Sequence, residues 1–179
     1  QLLRDLRWIE DAGFSVFQVN IHMRQEGETP LHHPASLAWM EDFQRFVRED
    51  PVVIGTAALP DLLRPLRRAT LDGDSDQGSL PTSLEEGSQL LLLAEMQEGG
   101  LVTDLYRQAE GEAQIVVVVR DAGSRFMLPF LAAVDRYLES RPPPYGTAVS
   151  TGTTRLIQNY TAQVLRNFLP SLALAVVLI

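Results

Sequence analysis

The chain has no cysteine and no lysine. Without cysteine there is no disulfide, no thiolate metal site and no cysteine nucleophile. Without lysine there is neither a Schiff-base amine nor a P-loop lysine. All 15 basic residues are arginine; they face 23 acidic ones, and the formal net charge is −8. Neutralising phosphates needs a basic face, which a net-acidic composition does not favour. That argues against a nucleic-acid partner and against docking on anionic lipid headgroups. G-x-S-x-G, H-E-x-x-H and a phosphate-cradling glycine loop are all missing, and no secretory leader is visible.

What is present is the composition of a globular protein: 179 residues, 45% apolar and 21% charged. That is enough for one domain with a real core, or two small lobes. Leu2 to Ala12 reads as a short charged helix ended by Gly13. Phe14 to Met23 alternates, with Phe17, Val19, Ile21 and Met23 on one face, and predicts a half-buried strand. Pro34 to Asp50 predicts a helix with Pro34 in its first turn. Its core stripe is Trp39, Met40, Phe43, Phe46 and Val47. Val52 to Thr56 predicts a second strand, with a bulge or close approach at Gly55.

A helical insert spans about 59–110. It holds a short helix interrupted by Pro65, an acidic loop at Asp72–Ser79, and a longer helix that Gly99-Gly100 is expected to split. Ala113 to Arg120 contains five consecutive β-branched residues and predicts a strand that is central or covered on both faces. Ser124 to Ser140 predicts a helix burying Met127, Phe130, Leu131, Val134, Tyr137 and Leu138, with Pro129 marking a late start or a kink. Thr147 to Thr151 is a last strand, ended by Gly152, and a final helix begins near Thr153 or Thr154. Strand–helix–strand, insert, strand–helix–strand predicts two β-α-β units interleaved into one four-stranded sheet, the ferredoxin-like split β-α-β arrangement of an α+β domain.

The chain closes on an apolar run. The 12 residues from Phe168 to Ile179 contain no charge. At ~1.5 Å per residue they span roughly 18 Å, short of the roughly 30 Å of a bilayer core. The run is expected to be either a membrane span cut partway or a core helix. The division expected is an α+β domain over 1–152 and a helix over 153–179 whose membrane part starts at about 168. Opening on Gln1, mid-pattern, is what an excised piece would show.

Sites are sparse. Asp72, Asp74 and Asp76 have the spacing of the first calcium-loop ligands, but Gln77 stands where the invariant glycine belongs and Ser83 where the bidentate glutamate belongs. His32 and His33 are adjacent and so point apart, with Glu28 nearby but no third zinc ligand in sequence; they read as the start of the helix at Pro34. Glu85, Glu86 and Asp121 fit no paired-carboxylate pattern. Phe126, Met127 and Phe130, and Leu90 to Leu93, are substrate-facing candidates that packing alone also explains. No catalytic, cofactor or metal residue is assigned.

Four stretches carry a likeness in their order: FSVFQVNIHM (14–23); HHPASLAWMEDFQRFVREDPVVIGTAALPDLLRPLRRA (32–69), with Pro51-Val52 and the Asp61-Leu62-Leu63 step; 80–124, from LPTSLEEG to VVVVRDAGS; and STGTTRLIQNYTAQVLRNFLPSLALAVVLI (150–179). Together they resemble the second large extracytoplasmic loop of a resistance-nodulation-division (RND) exporter, of the MMPL and predicted-exporter type. The resemblance implies a porter subdomain on the periplasmic side of a bacterial inner membrane. It implies a proton-driven exporter that receives or passes hydrophobic or lipid-like substrate, with no enzymatic activity and no cofactor. Its partners would be the membrane-bound rest of the same chain, above all the other periplasmic loop, and a further copy in a homo-oligomer. The family's proton-relay carboxylates lie in spans, so none is carried over here. The alternatives are a stand-alone soluble ligand-binding or interaction domain with the same sheet, and a hydrolase or other enzyme whose signature is not a familiar one.

Overall fold

The computed structural model describes residues 17–72, 79–158, 160, 163 and 164. The expected helix at 2–12, Asp74 and Asp76 of the acidic loop, and the apolar run from Phe168 lie outside the described residues. Among the described residues no helix is long and apolar enough to cross a membrane.

The fold is α+β, with a five-stranded antiparallel sheet. Strand β1 is Gln18–Gln25, and its alternation buries Val19, Ile21 and Met23. Helix α1 follows at Pro34–Arg48. The His33 imidazole caps it, accepting the Ala35 N–H at 3.2 Å, and Pro34 sits in the first turn, where a missing N–H costs nothing. Strand β2 is Val53–Ala57. Its register against the central strand shifts between Val53 and Gly55, the bulge expected there.

The insert is α2 at Leu59–Arg67, a π-helical turn at Arg68–Asp72 and α3 at Leu84–Leu105. Ser83 caps α3 by accepting the Glu86 N–H. Strand β3, Tyr106–Arg107, was not expected; it leaves α3 directly and pairs with Ala113 and Glu112. Strand β4 is Glu112–Val119, helix α4 is Ser124–Ser140 and strand β5 is Gly146–Thr151. Pro129 lies inside α4, which starts before it.

The expected split of α3 at Gly99-Gly100 needs correcting, since the helical pattern continues through both glycines. It does not continue straight. Ser88 and Tyr106 would sit about 27 Å apart along a straight helix, yet one imidazole, that of His32, reaches both at 3.0 and 2.8 Å. The run therefore bends back on itself, and a glycine pair is where a helix yields most readily.

Strands lie in the order β2-β4-β1-β5, with β3 beside β4 off this path. β4 is central, as five β-branched residues in a row predict. It is antiparallel to both β1 and β2, so β1 and β2 run parallel with β4 between them. By the same logic β4 and β5 run parallel with β1 between them. One face of the sheet, carrying Val19, Ile21, Met23, Ile115, Val117 and Val119, is packed into the core. Tyr137 of α4 locks onto α1: its ring stacks on Phe46 at 4.5 Å and meets Phe43 edge-on at 5.3 Å. The insert shares this core through Leu63, Leu90, Leu91, Ala94 and Val102.

Candidate functional site

β1 begins where its neighbour β5 ends. Asn20 faces Thr151 at one pole, and Gln25 faces Gly146 at the other. The chain thus enters β1 and leaves β5 side by side. Gly152 makes the departure possible: its φ is +107°, and an added Cβ would lie 2.8 Å from the Gln18 carbonyl oxygen. Helical structure resumes at Thr153, with the Leu156 N–H donating to the Gly152 carbonyl. Arg155 clasps Asp135 of α4 through two hydrogen bonds, of 2.7 and 2.8 Å.

This pole holds two recesses, one bordered by Met127 of α4 and the other by Phe130 and Ala133 of the same helix. The first, about 260 Å³, has apolar walls from Phe17, Met127 and Ile157, with Arg120, Thr154 and Gln158 at its polar part. The second, about 240 Å³, is walled by Phe46, Val47, Pro51, Phe130 and Ala133, with Glu49 and Asp50 at its edge. Around them Phe126, Leu128, Leu156 and Tyr160 are 50–71% exposed. A concentration of exposed apolar side chains at one end of an otherwise acidic domain marks a contact or binding region.

Of the residues singled out by sequence, Met127 and Phe130 are buried but each reaches a recess wall, while Phe126 is exposed beside them. Leu90 and Leu91 are core, Leu93 packs against it, and Leu92 is exposed. Glu85 and Glu86 serve the start of α3. Its own backbone N–H and then Ser83 hold the Glu85 carboxyl below the usual range. The Thr82 N–H, with Arg67 at 2.6 Å, does the same for Glu86. Carboxylates held ionised in this way are poor general acids. Asp121 lines the first recess.

His32 is 2% exposed and lies away from both recesses. Its Nδ1 is 2.8 Å from the Tyr106 hydroxyl and its Nε2 is 3.0 Å from Ser88 Oγ. Ser88 donates its own proton to the Leu84 carbonyl at 2.9 Å, so it accepts from His32. That assigns the hydrogen to Nε2 and makes Nδ1 the acceptor for Tyr106. Burial, then the neighbouring His33, lowers the His32 pKa; burial, then Glu95, pushes the Tyr106 hydroxyl up to about 12. The trio resembles a nucleophile–base pair only in composition. Ser88 spends its proton on a carbonyl, so the histidine does not activate it. Nor is His32 paired with His33 for a metal: His33 caps α1 and meets the Tyr145 ring at 4.9 Å. Among the described residues no group of three metal-ligating side chains converges. The network is a clasp between the insert and the segment ahead of α1, and only His32 of its three members stood out in the sequence.

Comparison of the chain with protein-family models, with curated proteins and with solved structures returns no match.

Proposed function

We propose that the chain is a porter-type extracytoplasmic domain of a proton-driven exporter of the RND superfamily, MMPL type, which receives or passes hydrophobic or lipid-like substrate. We read the interleaved order β2-β4-β1-β5 as the ferredoxin-like split β-α-β sheet of such domains. The observation that carries the reading is the shared pole: β1 starts and β5 ends on adjacent strands at one end of the sheet. A domain set into a membrane protein between two spans needs its two connections to leave from one side. The two recesses, mostly apolar in their walls, open at that same pole. In this reading the domain sits on the periplasmic side of a bacterial inner membrane, holds no cofactor and catalyses no reaction. The rest of the transporter chain, its other periplasmic loop above all, is its partner.

The mechanism is mechanical. Protonating an intramembrane carboxylate removes a large desolvation cost and lets spans tilt. The helical segment at 153–158 is where such a tilt enters the domain, and Gly152 passes it to β5. The Arg155–Asp135 clasp passes it to α4 as well, so the sheet and both recess walls move as one body. The test is a flexible Gly-Ser insertion after Gln158 in the full-length parent protein, with membrane abundance checked in parallel. Export falls to a small fraction of the parent's at unchanged abundance if the helix is the lever; full export contradicts the coupling.

A further inference from the structure

We propose that the first recess is a binding site for a single-chain amphiphile with an anionic head, of which a medium-chain fatty carboxylate is the simplest example. The chain lies against Phe17, Met127 and Ile157, and the head sits toward Arg120 and the start of α4. The volume, about 260 Å³, falls below the roughly 300 Å³ at which sites for drug-sized ligands begin. It suits one hydrocarbon chain and leaves no room for two.

The sign of the head follows from what surrounds it. Helix α4 starts at Gly123, which has no side chain to cap it, and its first turn carries no acidic residue. The positive end of the helix is therefore uncompensated by its own sequence. Arg120 adds a full positive charge at the recess, and Arg125 on the same first turn lies over the Phe126 ring at 5.8 Å. Gln158 offers an amide. Asp121 also lines the recess and opposes an anion; against that carboxylate stand Arg120 and the helix end. A second, independent feature is Thr154, which lines the recess, is 3% exposed and has a hydroxyl without a partner. Leaving such a group unsatisfied is costly, and a carboxylate oxygen entering beside it after a small shift of the wall removes that cost.

This sharpens the transport reading by naming a substrate class and a receiving site, but it rests on the recess and stands without the exporter. The probe is a dodecanoate carrying a diazirine in its chain, photolysed with the full chain in detergent-free lysate. Cleavage after arginine places Met127 in peptide 126–136 and Ile157 in peptide 156–166. Both peptides are expected to carry the label. Arg120→Gln lowers the yield about ten-fold, as loss of a charge-assisted contact should. Ile157→Trp, at a position 43% exposed and so tolerant of a larger ring, blocks the recess and abolishes labelling. Ala133→Trp, which fills the second recess, leaves labelling unchanged. Equal labelling by the corresponding dodecanol or dodecylamine probe overturns the anionic head. Label confined to other peptides, or none, overturns the site. Labelling here alongside full export by the Gly-Ser insertion sinks only the lever; lost export with label elsewhere sinks only this site.

Discussion

Replacing Tyr106 by phenylalanine removes one oxygen from the clasp that holds the insert. The consequence follows from the tautomer. His32 Nδ1 is an acceptor buried at 2% exposure, and Tyr106 is its donor at 2.8 Å. Phenylalanine leaves that acceptor unpaired where water does not reach, at a cost of about 2 kcal/mol. For a chain of this size that lowers the thermal midpoint by roughly 4–8 °C. The pH dependence has a definite sign. Burial lowers the His32 pKa in the folded state below 6.5, so the fold favours the neutral ring. Its contribution is complete above pH 6.5 and is lost progressively as pH falls from 6.5 toward the lowered folded value. Urea midpoints measured between pH 7.5 and 5 on the wild-type chain, Tyr106→Phe and His32→Gln check this. The wild-type advantage over His32→Gln is expected to shrink as pH drops through 6.5. A Tyr106→Phe chain as stable as wild type, or a wild-type advantage that grows on acidification, refutes the assigned tautomer and the clasp.

Tyr137→Ala empties the ring that joins α1 to α4 and is expected to cost about 3–5 kcal/mol, read as a lower urea midpoint. Gly152→Ala puts a Cβ against the Gln18 carbonyl at a φ of +107°; about 2 kcal/mol of strain should appear as a lower thermal midpoint, whereas Gly55→Ala, whose Cβ meets nothing within 4 Å, should cost less. Arg155→Leu breaks a part-buried ion pair and is expected to change stability by no more than about 1 kcal/mol, yet, under the exporter proposal, to lower export, because it uncouples the helical segment after Gly152 from α4.

The sheet was legible because its physics is local. Phe17 to Met23 alternates with a period of two, and Ile115 to Val119 is β-branched throughout, so both strands and the central place of the second could be read directly. The α1 stripe and the Gly55 bulge were equally local. The interior of the insert was not. A Gly-Gly pair signals a break by propensity, but Val102 and Leu105 are buried, and that packing keeps the run helical while it bends. Strand β3 is two residues long and carries no pattern of its own. The clasp joins residues 56 and 74 positions apart in sequence, and no spacing rule reaches across such a loop. Met127 was legible as an apolar residue, but the recess it borders needs Phe17, Arg120 and Ile157 from three other segments, which only the fold brings together.

The central claim is that this domain stands outside the inner membrane, with both connections passing into it at one pole. The chain has no cysteine, so a single Glu28→Cys, at an exposed position in the loop after β1, gives a clean reporter. In intact cells making a full-length parent otherwise free of cysteine, a maleimide that does not cross the inner membrane is predicted to label Cys-bearing protein fully, and that protein stays with the membranes after alkaline carbonate extraction. Labelling that appears only after the cells are lysed, or protein released by carbonate, contradicts the account.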